Sequence, residues 1–167
     1  MAIRKLNHAV LWVRDAQVAA AFYTDIMGFE VLKDLGGAVF LKAPKSDSDH
    51  DLGLFTVGPD AEPTRTGSGP GRGTVGLYHL AWEVETLGEL ASLRDRLTEV
   101  GSLVGASDHG TTKSLYAQDP DGIEFEVTWQ VPLELLTEDD ARVRTDPLDL
   151  DRELARFGPD LARADRG

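Results

Sequence analysis

Residues 6–29 read LNHAVLWVRDAQVAAAFYTDIMGF, and residues 77–101 read LYHLAWEVETLGELASLRDRLTEVG. Set against each other at an offset of 71 residues, Leu6 meets Leu77, His8 meets His79, Val13 meets Val84, Ala20 meets Ala91, Phe22 meets Leu93 and Ile26 meets Leu97. Each copy opens with an apolar run of strand length and continues into a helical spacing. In the first copy Val18, Ala19, Phe22 and Ile26 recur every three to four residues. Asp15 and Thr86 stand where a side-chain oxygen would cap the first helical N–H groups. Gly28 and Gly101 stand where a helix stops, because a C-terminal stop often needs a left-handed residue.

Three further strand-like runs follow each helix. They are FEVLKDL, AVFLKA and DLGLFTV in the first copy, and SLVGAS, KSLYAQ and IEFEVTW in the second. Turn formers separate them, among them Gly36-Gly37 and Asp119-Pro120-Asp121-Gly122. The spacing therefore predicts an α+β fold of two tandem βαβββ modules, residues 1–57 and 76–130. Residues 58–75, with the Pro-, Gly- and Ser-rich stretch PDAEPTRTGSGPGRG at 59–73, read as a linker. Residues 131–167 read as an irregular arm followed by a short helix, LDLDRELARF, opened by Asp146-Pro147 and stopped by Gly158.

Composition bounds the partners. With 167 residues, 41% of them hydrophobic and 28% charged, the chain has the make-up of an ordinary globular protein. No apolar run approaches the roughly 18 residues of a membrane helix, and the first residues lack the pattern of a signal peptide. The absence of cysteine excludes disulfides and thiolate metal sites and fits a cytoplasmic location. A net charge of -12 and a pI near 4.6 disfavour nucleic acid or an anionic membrane as partner. A small neutral or aromatic ligand in a local pocket is compatible with all of this. The long linker permits the modules to pair within one chain or to exchange between chains, so a homo-oligomer is open.

A lone strand histidine is usually a hydrogen-bonded core or rim residue. His8 and His79 are different, because they hold equivalent places in repeated strands. Two imidazoles brought together about a pseudo-twofold axis need a carboxylate to complete a facial site for a divalent metal. The last strand, IEFEVTW, offers Glu124 and Glu126 on one side and Ile123, Phe125 and Val127 on the other. Glu124 reads equally well as a solvated residue. At the same offset Glu126 corresponds to Phe55, so the first module offers no acid there. Two histidines and one glutamate leave three coordination positions open, whereas a purely structural site is usually closed by four protein ligands.

The runs LNHAVLWVRD, AAFYTDIMGFEVL, LYHLAWEV and SLYAQDPDGIEFEV resemble the vicinal oxygen chelate superfamily, over about residues 3 to 130. That superfamily includes glyoxalase I, bleomycin-resistance proteins, fosfomycin-resistance enzymes and type I extradiol dioxygenases. The chain looks closest to the extradiol, catechol 2,3-type dioxygenases, and the tail TDPLDL is also similar to theirs. The resemblance implies that the two modules form an incomplete β-barrel around a metal site, with the C-terminal arm and helix outside it. It implies His8, His79 and Glu126 as iron ligands, the glutamate lying four residues after the glycine of DPDG. It implies His50, at the head of HDLGLF, as the acid–base histidine. It further implies His109 and Tyr116, from DHG and the tyrosine seven residues later, as a pair that hydrogen-bonds a catechol oxygen. Trp129-Gln130 departs from the aromatic, acidic and arginine residues usual after the glutamate and signals a different substrate.

The function so implied is Fe(II)-dependent extradiol cleavage of a small catecholic aromatic substrate by O₂, with Mn(II) as the other candidate metal. Two rivals remain. One is a non-redox metalloenzyme of the same fold, of glyoxalase, epimerase or thiol-transferase type. The other is a metal-free protein that sequesters an aromatic drug. Arg65, Arg72 and Lys113, in or beside expected loops, are candidates to meet a substrate carboxylate.

Overall fold

In the first module the strand β1 (Ala9–Val13) alternates between two environments. Leu11 and Val13 are buried, whereas Val10 and Trp12 are exposed, as the two-residue period of a strand covered on one face requires. The computed structural model describes residues 2–3, 5–62 and 76–164. After β1 come the helix α1 (Ala16–Asp25) and the strands β2 (Glu30–Asp34), β3 (Ala38–Lys42) and β4 (Leu52–Thr56). They form one open four-stranded sheet in the order β1-β4-β3-β2. β1 runs parallel to β4, and the other neighbours are antiparallel.

The helix α1 begins where Asp15 accepts hydrogen bonds from the Gln17 and Val18 N–H groups, and Gly28 adopts φ +79° beyond its end. Its buried stripe is Ala16, Ala19, Ala20 and Tyr23, which α1 packs on β3 and β4. This corrects the expected stripe by about one residue, because Val18 is 55% exposed. Small alanines let the helix lie close on Leu41, Leu52 and Leu54, all fully buried. The compact unit around this sheet also takes in residues 119–122. There the Tyr23 hydroxyl donates to Asp119, and the Arg14 N–H and guanidinium donate to Asp121.

The second unit repeats the order with β5 (Leu80–Glu83), α2 (Leu87–Glu99), β6 (Leu103–Asp108), β7 (Thr112–Gln118) and β8 (Glu124–Gln130). The Thr86 side chain and Glu89 form a reciprocal capping box at the start of α2, satisfying two otherwise orphaned N–H groups. Leu87, Leu90, Leu93 and Leu97 are buried along its inner face, each contributing about 1.5–3 kcal/mol of apolar transfer. The matching core face of the sheet carries Leu115, Phe125, Val127 and Trp129.

The C-terminal arm departs from expectation in one place. Asp146-Pro147 does not open the helix; it forms β9 (Asp146–Pro147), an edge strand antiparallel to β6, in a five-stranded sheet ordered β5-β8-β7-β6-β9. Proline has no N–H to give and is tolerated at such an edge. The helix α3 (Leu150–Phe157) starts after Asp149, whose carboxylate accepts from the Arg152 N–H, and it ends at Gly158. Lys113 also departs from expectation. It lies on β7, fully buried, with its ammonium 2.6 Å from Asp108 and 3.4 Å from Glu153. Burying a charge is costly unless it is paired, and here the pairing carboxylates hold it away from any substrate. Residues 63–75, and with them Arg65 and Arg72, lie outside the described residues. No helix among the described residues is long and apolar enough to cross a membrane.

Candidate functional site

Each sheet has one face covered by its helix and one face left open. On the first sheet the open face carries Val10 and Trp12 from β1, Gly53 and Phe55 from β4, and Phe40 from β3, by the pairings Val10↔Gly53, Trp12↔Phe55 and Phe40↔Gly53. Trp12, Phe40 and Phe55 meet edge to face. Just outside these strands His8 and His50 stack, with ring centroids 4.4 Å apart, and the His50 ring meets Phe40 at 5.4 Å. His8 Nδ1 lies 2.7 Å from the Asn7 amide oxygen. The metal candidate and the acid–base candidate of this module are therefore neighbours.

On the second sheet the open face is polar. His79 precedes β5, Tyr116 sits on β7 and Glu126 on β8, with Tyr116 directly opposite Glu126 in the ladder. His79 Nε2 lies 3.2 Å from Glu126 Oε2. The Tyr116 hydroxyl lies 3.4 Å from Glu126 Oε1 and 2.9 Å from His109 Nε2. His109 in turn reaches the Arg144 main-chain carbonyl through Nδ1 at 3.1 Å. Burial, and then the Glu126 carboxylate, push the Tyr116 hydroxyl up to about 12, so the phenol keeps its proton through the neutral range.

The two sheets answer a question the sequence offset left wrong. Val10 pairs with Gly53, and its repeat equivalent Ala81 pairs with Glu126. The first-module counterpart of Glu126 is therefore Gly53, and the offset slips by two residues through the loops. No donor side chain exists at that position. Glu124, which read equally well as solvated, is 2% exposed.

Four of the six expected site residues, His79, Glu126, Tyr116 and His109, form one contiguous row in the second unit, while His8 and His50 form a pair in the first. No group of three or more His, Asp or Glu side chains is gathered around a metal position among the described residues. The His79–Glu126 pair nonetheless suits a metal. Two donors bound at about 2.1 Å and at right angles to each other stand about 3 Å apart, close to the 3.2 Å seen here. Imidazole with carboxylate is also a donor set that iron and manganese accept.

Sequence reading missed the Arg144 carbonyl. Every residue carries one, so its identity gives no signal. It also missed Asp108, although an acid directly before His109 and five residues before Lys113 was there to be noticed.

Residues 5–127 match the family model described as Glyoxalase/Bleomycin resistance protein/Dioxygenase superfamily. A catechol-2,3-dioxygenase of Bacillus subtilis (strain 168) is 32% identical over 132 residues, 75% of this chain and 44% of that protein. Biphenyl-2,3-diol 1,2-dioxygenase 3 of Rhodococcus globerulus is 34% identical over 122 residues, 71% of this chain and 59% of that protein. The chain thus spans about half the length of these dioxygenases. It spans 75% of an ethylmalonyl-CoA/methylmalonyl-CoA epimerase of Cereibacter sphaeroides, which is 32% identical over 114 residues, 61% of this chain. Among solved structures, a glyoxalase/dioxygenase from Nostoc punctiforme shares the fold with a TM-score of 0.62 at 23% identity, covering 77% of this chain and 92% of that one. The chain belongs to the Glyoxalase/Bleomycin resistance protein/Dioxygenase superfamily.

Proposed function

We propose that this protein is an Fe(II)-dependent extradiol dioxygenase that opens a catecholic ring with O₂, using His8, His79 and Glu126 as iron ligands. The observation that carries the reading is the row His79–Glu126–Tyr116–His109 on one open sheet face, with contacts of 3.2, 3.4 and 2.9 Å. A structural metal site or a drug-binding pocket has no need of a phenol and a second imidazole chained to the ligand carboxylate. The similarity to two ring-cleaving dioxygenases supports the same reading.

Bound Fe(II) would supply a Lewis acid for the catechol oxygens and a path for electrons from ring to O₂. Because Gly53, the ladder equivalent of Glu126, has no donor side chain, His8, His79 and Glu126 would be the protein residues that hold the metal. His50, half-buried beside Phe40, takes the proton of a catechol hydroxyl and returns it as the ring opens, acting as general base and then general acid. Tyr116 and His109 orient a catechol oxygen by hydrogen bonding. The aromatic face of Trp12, Phe40 and Phe55 suits an apolar ring.

The second reading is a non-redox enzyme that exchanges a proton beside a carbonyl, with Mn(II) an equally suitable ion. It is favoured by the larger share of the epimerase that the chain spans. The row on the second sheet and the side-chain-free Gly53 weigh against it, because the non-redox enzymes of glyoxalase type usually use a fourth ligand where this chain has none. Reconstitution with Fe(II) under nitrogen, then exposure to air with catechol, 3-methylcatechol and 2,3-dihydroxybiphenyl in an oxygen electrode, separates the two. Oxygen uptake on any of them supports the dioxygenase. Bound metal without uptake, together with deuterium exchange into a methylmalonyl thioester, supports the epimerase type.

A further inference from the structure

His109 touches the C-terminal arm as well as Tyr116. Its Nδ1 lies 3.1 Å from the Arg144 carbonyl oxygen, and a carbonyl can only accept. A neutral His109 ring satisfies that carbonyl only with its proton on Nδ1, which leaves Nε2 bare to accept the Tyr116 O–H at 2.9 Å; the Thr145 hydroxyl, which could donate to a bare Nδ1, is the longer contact at 3.5 Å. The phenol has a single proton. Given to His109, it leaves the Tyr116 oxygen as an acceptor on the open face beside Glu126. In the other tautomer, Nε2–H would donate to Tyr116, and the phenol proton would turn towards Glu126 Oε1, 3.4 Å away.

The carbonyl is held by an unusually dense anchor. The Arg144 guanidinium donates to Asp108, the residue before His109, at 2.9 Å, and to the Asp139 carbonyl and carboxylate at 3.0 and 2.9 Å. The other Asp108 oxygen accepts from buried Lys113 at 2.6 Å and from the Gly110 N–H at 2.8 Å. β9 pairs Asp146 with Asp108 itself. Gly110, at φ +79°, has no room for a side chain, because a Cβ there would lie 2.2 Å from the Asp140 carbonyl oxygen. Asp140 is clamped by the Arg156 guanidinium at 2.9 and 2.6 Å. The arm thus sits on the turn that carries His109, clamped on both sides.

We propose that the C-terminal arm is a positioning element, in which Arg144 is tied to Asp108 by its side chain and, by its main-chain carbonyl, fixes His109 as the Nδ1–H tautomer that makes Tyr116 a hydrogen-bond acceptor towards substrate. The functional half of this statement rests on the dioxygenase reading; the tautomer does not. Arg144 is a positioning residue, and it reaches the substrate only through His109 and Tyr116.

The test is long-range ¹H–¹⁵N correlation of the His109 ring in the metal-free 167-residue chain, at a pH where that ring is neutral. Wild type is expected to show the Nδ1–H tautomer. Arg144→Met keeps the carbonyl but loses the clamp, and is expected to shift the ring towards an Nε2–H mixture, while Arg144→Lys restores most of the wild-type pattern. In the iron-loaded enzyme the same Met variant is expected to lose about 10-fold in kcat, the size typical of losing an outer hydrogen-bond partner. Wild-type His109 in the Nε2–H form, or an Arg144→Met spectrum identical to wild type, would overturn the proposal. Neither result depends on whether the protein cleaves catechols.

Discussion

The rings of His8 and His50 stack with centroids 4.4 Å apart and planes inclined by 30°. A proposed metal ligand thus has the proposed acid–base residue as its wall. Replacing His50 by alanine would remove both functions at once, whereas His50→Phe keeps a ring against His8 and removes only the proton carrier. That variant is expected to bind Fe(II) as wild type does and to lose about 10²–10⁴-fold in kcat. Metal content by elemental analysis and initial rates of oxygen uptake check the two halves separately. Unchanged kinetics would remove His50 from the mechanism.

Glu126 and His79 are the other half of the proposed ligand set. Glu126→Gln preserves shape and removes the charge that an iron centre uses, so Fe(II) affinity is expected to fall by more than about 100-fold, beyond the 10–100-fold typical of an outer partner. Tyr116→Phe, one hydrogen bond further out, is expected to keep the metal and lower kcat. Competition with a metal-sensitive dye measures the affinities. Equal metal loss in both variants would contradict the division of roles.

Lys113 is buried between Asp108 and Glu153. Lys113→Met would leave two buried carboxylates short of a cation, and a loss of about 3–5 kcal/mol is expected. Adding Glu153→Leu should recover part of it, since an apolar pair can replace a buried ionic one. Urea unfolding monitored at equal m-values measures both changes. A loss below about 1 kcal/mol in the single variant would show that the network contributes little.

Acid should release the arm. The Arg156 hydrogen bond holds the Asp140 carboxyl well below its usual range, outweighing burial, with help from Thr137. Burial pushes Asp108 up, but Lys113, the Gly110 N–H and Arg144 together hold it below the ordinary value. A carboxyl depressed in the fold contributes stability that is fully present above the unfolded value, about 3.9 for aspartate, and is lost as pH falls below it towards the folded value. Trp129, buried on β8 with its ring 5.4 Å from that of Phe157 on α3, reports whether the helix is docked. In a Trp12→Phe, Trp82→Phe background its fluorescence is expected to shift below about pH 4. Asp140→Asn should flatten that transition; an unaltered one would remove Asp140 from the account.

The two-module order was legible because its signals are local. Thr86 with Glu89, Asp15, Gly28 and Gly101 act within a few residues of themselves, and the His8–His79 offset survives because each repeat begins with the same strand. The errors arose where long-range packing decides. Val18 looks like a core residue by spacing, yet Ala16 and Tyr23 win the sheet face because small residues let the helix approach. Phe55 matches Glu126 by counting, but the strand ladder puts Gly53 there, since loop lengths between repeats differ. Lys113 has the composition of a loop residue, and only the fold brings Asp108 and Glu153 to it. The pairing of His109, in the turn after β6, with Tyr116 on β7 was implied by the family resemblance rather than by spacing; the carbonyl behind His109 was not legible at all.

The central claim is ring cleavage by O₂, and a single-turnover balance tests it most directly. Iron-loaded protein is mixed anaerobically with one equivalent of the best catechol, oxygen is admitted, and oxygen consumed is measured together with the yellow hydroxymuconic semialdehyde. The account expects one O₂ per semialdehyde and no product in His79→Ala. Iron and catechol both bound, with no oxygen consumed, would contradict it.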